Sequence, residues 1–125
     1  MEIKIHKLTD TALTPTVNNT LRTSYDIYSD RDVILRADIL HPISTGIRIE
    51  IPKGYVGIVT GLSDLTKNSV FRVNTDIIQH GQERELIVIS GLLPINLSVT
   101  YRVREGDKVA QLLVVPVEPI ELEEV

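Results

Sequence analysis

Side chains able to do chemistry are few and scattered along this 125-residue sequence. It has no cysteine, which excludes disulfides, thiolate zinc sites and cysteine nucleophiles. His6, His41 and His80 stand alone, with no carboxylate or second imidazole at metal-ligand spacing. Each therefore reads as a surface or loop residue. The patterns G-x-x-x-x-G-K-S/T, G-x-G-x-x-G, G-x-S-x-G and H-E-x-x-H are all missing, so phosphate loops, dinucleotide turns, nucleophile elbows and zinc-protease helices are not indicated. What remains is carboxylates and amides. Asp64, Glu83 and Glu85 are acids that can in principle serve as a general base. Asp26, Asp107 and Gln111 each have a plain structural reading. Asp26 can satisfy backbone groups beside a strand, Asp107 in Glu105-Gly106-Asp107 can be a turn residue, and Gln111, between Ala110 and Leu112, can sit at a subunit seam.

Charge narrows the classes further. Thirteen basic and seventeen acidic residues give a net charge of −4 and a pI near 5.3. The Lys and Arg residues form no run, which argues against binding a nucleic-acid backbone. Glu118, Glu121, Glu123 and Glu124 crowd the last eight residues, a short acidic tail over 118–125 that reads as a solvated end. No apolar run approaches the ~20 residues that span a bilayer, and the first residues lack the basic-then-apolar pattern of a signal peptide. An intracellular, reducing compartment is expected.

The elements that must hold these side chains are strands. Alanine occurs only three times, while Ile and Val together number thirty, a balance that disfavours helix and suits pleated, half-buried surfaces. Ile47, Ile49 and Ile51 alternate with Arg48 and Glu50, and Leu97, Val99, Tyr101 and Val103 alternate with Ser98, Thr100 and Arg102. Period two places one face in a core and the other in water. Further strands are expected over 2–8, 24–28, 32–36, 55–60, 70–73, 85–90 and 108–115. Turn signals separate them at 29–32, 52–54, 80–82 and 105–107. Residues 14–23, polar and carrying Pro15, read as a loop, and at most one helical turn is expected near 64–68. Short strands at this spacing predict a single all-β domain over 1–125, a sandwich, jelly roll or barrel.

Five segments, in order, resemble the dUTPase family. Thr23 to Ser29 looks like A-G-Y/F-D-L-x-S/A, and Ile51 to Gly57 looks like the P-x-G-Y-x-G turn. Leu62 to Thr66 stands where R-S-G-L-A is expected, Asn74 to Glu85 where G-V-I-D-x-D-Y-R-G-E is expected. Gly106 to Leu112 matches G-D-R/K-I/V-A-Q-L/M. The resemblance implies a jelly-roll or β-clip fold, a homotrimer with sites between subunits, and magnesium-dependent hydrolysis of dUTP to dUMP and pyrophosphate. It implies that Asp26 holds magnesium through water and that Ser63, Asp107 and Gln111 are nucleotide-binding positions. It also implies losses. Leu62 replaces a phosphate-binding Arg, and Asp64 replaces a Gly where a polyanion should approach. Anchoring on Glu85 puts Gln79 at the catalytic Asp and Gln82 at a sugar-stacking Tyr; in the other register Asp76 is that Asp. No Gly- and Arg-rich arm follows the last segment.

Within the family, the adenoviral early-region-four proteins derived from dUTPase resemble this chain in a degenerate second segment. They also share segments like Thr75-Asp76-Ile77-Ile78 and Val103-Arg104-Glu105-Gly106. That likeness implies a non-catalytic viral protein acting by protein–protein interaction on host cell signalling, in the cytoplasm or nucleus of an infected cell, with no cofactor. Its implied partner is a host PDZ domain captured through Glu123 and the C-terminal carboxylate of Val125, in the manner of β-augmentation. The alternative is an active or weakly active magnesium-dependent dUTP diphosphatase.

Overall fold

A computed structural model describes residues 1–17, 22–62 and 70–125. The described residues form strands and turns with no helix, so the all-β expectation holds. The strands are β1 (Lys4–Lys7), β2 (Thr16–Val17), β3 (Tyr25–Tyr28), β4 (Val33–Arg36), β5 (His41–Ser44), β6 (Ile47–Glu50), β7 (Tyr55–Thr60), β8 (Phe71–Val73), β9 (Asp76–Gln79), β10 (Ile87–Leu92), β11 (Thr100–Val103) and β12 (Lys108–Pro116). All pairings between them are antiparallel.

The largest sheet runs β2-β3-β12-β7-β9, and a second runs β5-β10-β8. Two ribbons, β1-β6 and β11-β4, complete the fold. The nine-residue β12 is the spine, pairing β3 on one edge and β7 on the other. Its register shifts between Lys108 and Ala110, a bulge that turns the polar start of the strand away from its apolar middle. The core is filled by Ile27, Leu35, Ile43, Ile47, Ile49, Ile51, Val59, Phe71 and Val88, each 2% exposed or less. Phe71 packs on Tyr101 with ring centroids 5.3 Å apart. These side chains come from every sheet, so burying them ties the sheets together.

Several sequence expectations are corrected. Residues 14–23 were expected as loop, yet Thr16–Val17 pairs with β3. The strand expected over 85–90 runs Ile87–Leu92, because Glu85 and Leu86 turn aside to bond the β5–β6 connection. The alternation from Leu97 becomes a strand only at Thr100: Asn96 Oδ1 accepts from both the backbone N–H and the hydroxyl of Ser98, which holds a turn there. β5 and β9 were not expected. The turn near 64–68 lies outside the described residues.

Candidate functional site

The sheet aligns several polar side chains in one row. Across β3, β12 and β7 the directly opposed residues are Asp26, Gln111 and Thr60. Thr60 Oγ1 then meets Thr75 Oγ1 at 3.3 Å. Opposed residues share a face, and neighbouring strands lie about 4.8 Å apart, so this row crosses the sheet from Asp26 to the mouth of β9.

Each sequence candidate has a defined place. Asp26 is buried, its side chain 6% exposed, and its Oδ2 lies 3.1 Å from Lys108 Nζ. Gln111 Nε2 donates to Gly61 O at 2.9 Å, which fixes the chain just before Leu62. Asp107 closes a turn: Oδ2 accepts from Arg104 N at 2.9 Å, and its carbonyl accepts from Ser29 N at 2.9 Å. Gly106 sits there at φ 87°, a conformation that glycine adopts at little cost. Ser63, like Asp64, lies outside the described residues. Glu123 and Val125 belong to an extended, fully exposed tail with no strand. The structure thus brings Asp26 and Gln111 together and gives Asp107 a turn-closing role.

Residues from 74 to 89, together with Ile49, build a recess that no single segment of sequence reveals. A cavity of about 380 Å³ opens between β9 and β10. Its floor is apolar, from Ile49, Ile78, Ile87 and Ile89, and its rim carries Asn74, Asp76, Gln82 and Arg84. Asp76 Oδ1 accepts from Ile77 N at 2.9 Å. Gln82 Oε1 accepts from Gln79 N at 2.6 Å across the turn at Gly81, where φ is 90°. Alternate residues of an edge strand aim their N–H groups off the sheet, so Asp76 and Gln82 cap the exposed donors of β9. Gln79 itself is exposed and does not line the cavity.

Glu85 also lines the recess, but its Oε2 accepts from Gly46 N at 2.9 Å and from the Ser44 hydroxyl. Thr45 Oγ1 donates to Leu86 O at 2.6 Å, and Leu86 N donates to Ile47 O at 2.8 Å. These bonds pin the cavity wall to the β5–β6 connection. Glu85 is therefore a tethering group, which leaves Asp76 as the less committed carboxylate of the cavity. Arg84, not singled out from sequence, stands exposed at the rim; its signal was only its place three residues beyond the turn glycine.

Magnesium was implied at Asp26. One carboxylate faces an ammonium there, and the described residues hold no cluster of three or more His, Cys, Asp or Glu side chains. Magnesium keeps most of its waters and takes only one or two carboxylates together with substrate phosphates, so Asp26, already facing Lys108, would supply at most a water-mediated contact to it.

An all-β fold of antiparallel sheets packed on one core defines the jelly-roll class. The dUTPase family model matches residues 10–125, so the chain belongs to the dUTPase family. It is 30% identical over 95 residues to a deoxyuridine 5'-triphosphate nucleotidohydrolase of Tropheryma whipplei, an alignment covering 74% of this chain and 64% of that protein's length. The protein of the same description from fowlpox virus is 28% identical over 113 residues, covering 90% of this chain and 75% of its own. In structure the chain is similar to a mutant dUTPase from phage phi11 of S. aureus: TM-score 0.90, 28% identity, 100% of this chain and 97% of that one. That phage structure was described for its coordination of a structural Mg(II) ion. Nothing in these likenesses ties the chain to the adenoviral branch.

Proposed function

We propose that this chain hydrolyses dUTP to dUMP and pyrophosphate, taking the nucleotide in the β9–β10 cavity. The observation that carries this is the position of Asp76: it lines the cavity with one carboxylate oxygen capping Ile77 N and the other without a partner among the described residues. In this reading Asp76 Oδ2 takes a proton from water as the water oxygen bonds to phosphorus and the bond to the pyrophosphate oxygen breaks. Arg84 supplies positive charge to the phosphates at the rim. The names of the relatives support the reaction. The test is pyrophosphate release from dUTP in magnesium buffer, by the wild type and by Asp76→Asn. Turnover lost in the variant at unchanged melting temperature supports the reading, and wild-type turnover no faster than in buffer overturns it.

One observation favours a second reading. Gln79 stands where anchoring on Glu85 puts the catalytic Asp, and an amide cannot take a proton near neutrality. In that case the protein is non-catalytic and acts through partners, with the exposed Glu123 to Val125 end as a contact for a host PDZ domain and a homotrimer as its assembly. Capture of a PDZ domain by the full chain, abolished by deleting Val125, is the result that reading requires.

A further inference from the structure

The three histidines are bonded in three different ways. His6 Nε2 faces Glu50 Oε2 at 2.9 Å, a contact that a proton on the ring strengthens. His80 Nδ1 lies 2.7 Å from the carbonyl of Ile51, which can only accept, so that bond survives protonation. His41 is the reverse case. The backbone N–H of Arg36 donates to His41 Nε2 at 3.2 Å. That nitrogen must offer a lone pair, so the ring is neutral with its hydrogen on Nδ1. A second proton would occupy Nε2 and end the bond. We infer that His41 is a proton-released clasp on the β4–β5 turn: neutral, it ties β4 to β5, and protonated it lets residues 37–40 open.

The clasp sits where two sheets meet. Arg36 ends β4 in the ribbon with β11, and His41 begins β5 in the β5-β10-β8 sheet. The ring is half-buried, on the face of β5 that also carries the buried Ile43. The His41 carbonyl accepts from the Ser90 hydroxyl at 3.1 Å, so its backbone stays on β10 whatever the ring does. Release therefore frees the turn and not β5. Ile39 and Leu40 of that turn are already at least half exposed. Leu40 Cδ2 lies over Gly91 of β10, where a Cβ would stand only 3.0 Å from it. Opening the turn would lift Leu40 off that glycine. The surrounding charges favour release. Arg36 repels a charged ring, and β11 adds Arg102, itself 3.8 Å from Asp32. β10 presents Ser90, Gly91 and Leu92, none of them charged. Asp38, in the turn, attracts a charged ring but cannot restore the lost acceptor.

An imidazole ordinarily gains its proton near pH ~6.5, well above the carboxylates. Amide exchange on the full chain, at about pH 7.5 and about pH 5, tests the clasp. Protection at Arg36 and across 38–40, corrected for intrinsic exchange, is expected to fall about threefold to tenfold at the lower pH, the worth of one hydrogen bond. Ile43 and Val88 should keep theirs. His41→Gln offers an acceptor that does not titrate, and its protection at Arg36 should be the same at both pH values. Nitrogen-15 spectra of the wild-type ring at the higher pH need no variant, and should show the hydrogen on Nδ1. A ring carrying its hydrogen on Nε2 overturns the inference. So does wild-type protection that ignores pH, or an equal fall in the wild type and His41→Gln.

Discussion

The ammonium of Lys108 lies 3.1 Å from Oδ2 of Asp26, joining a half-exposed cation to a carboxylate that is almost wholly buried. The bulge between Lys108 and Ala110 is what lets β12 deliver the side chain there while Ala110 and Leu112 stay in the core. Removing the lysine takes one charged partner from a buried carboxylate. Lys108→Met is therefore expected to lower stability by about 1–3 kcal/mol, the cost of leaving one buried polar partner unmade. Asp26→Asn in the same background should restore part of that loss. Urea unfolding of the two single variants and the double variant measures the coupling; additive losses would show that the pair contributes nothing.

Asp30 gives the fold a defined acid limit. Its two oxygens accept from Thr9 Oγ1 and Thr11 Oγ1, both at 2.7 Å. The Thr9 bond first, then the Thr11 bond, hold the carboxyl below its ordinary value of 3.8, against a smaller opposing effect of burial. A carboxyl lowered on folding contributes stability that is present above its unfolded value and is lost as pH falls through the folded one. Stability is thus expected to fall as pH drops below about 4. Asp30→Asn should flatten that part of the profile while lowering stability at neutral pH. Denaturant midpoints measured from pH 6 to pH 2 check it, and unchanged slopes in the variant would assign the acid limit to other groups.

The same carboxylate explains Gly46. It adopts φ 66°, and a Cβ there would stand 2.6 Å from Asp30 Oδ2, 2.7 Å from Thr9 Oγ1 and 2.8 Å from Ala12 Cβ. Backbone strain for a residue with a side chain is about 1–2 kcal/mol, and forcing atoms into a packed site adds about 1–3 kcal/mol. Gly46→Ala is expected to cost roughly 2–4 kcal/mol by these two mechanisms. A melting temperature within a degree of wild type would show that the β1 approach yields freely.

Some of this was legible in the residues and some was not, for physical reasons. The alternation of Ile47, Ile49 and Ile51 announced β6 because one of its faces is core and the other is water. β5 stayed hidden because Pro42 reads as a loop residue. It is tolerated because β5 is the edge of its sheet, where a missing N–H breaks no ladder. β9 stayed hidden because Asp76-Ile77-Ile78-Gln79 does not alternate apolar with polar residues, and its extension comes from pairing with β7. The segments carrying Asp26, Asp107 and Gln111 could be placed from their order in the chain, since local turns fix them. The cavity could not. Its walls belong to two different sheets, and the bonds that set them join residues about forty positions apart, as Glu85 does with Ser44 and Gly46.

Those last bonds make Glu85 a test of how the cavity is held. Its Oε2 accepts from Gly46 N and the Ser44 hydroxyl, and the next residue, Leu86, is bonded by both Thr45 and Ile47. Bonds to a charged acceptor contribute about 1.5–3 kcal/mol. Glu85→Ala is expected to lower stability within that range and to free the segment between Gln82 and Ile87. Amide exchange should then rise across 82–87 while β12 keeps its protection, because local opening follows local bonding. Affinity for a non-hydrolysable dUTP analogue should fall along with it, since the rim groups lose their fixed positions. The lost stability without any change in nucleotide affinity would separate the tether from the cavity, and would mean that the β9–β10 walls are set by their own packing on Ile49 and Ile78.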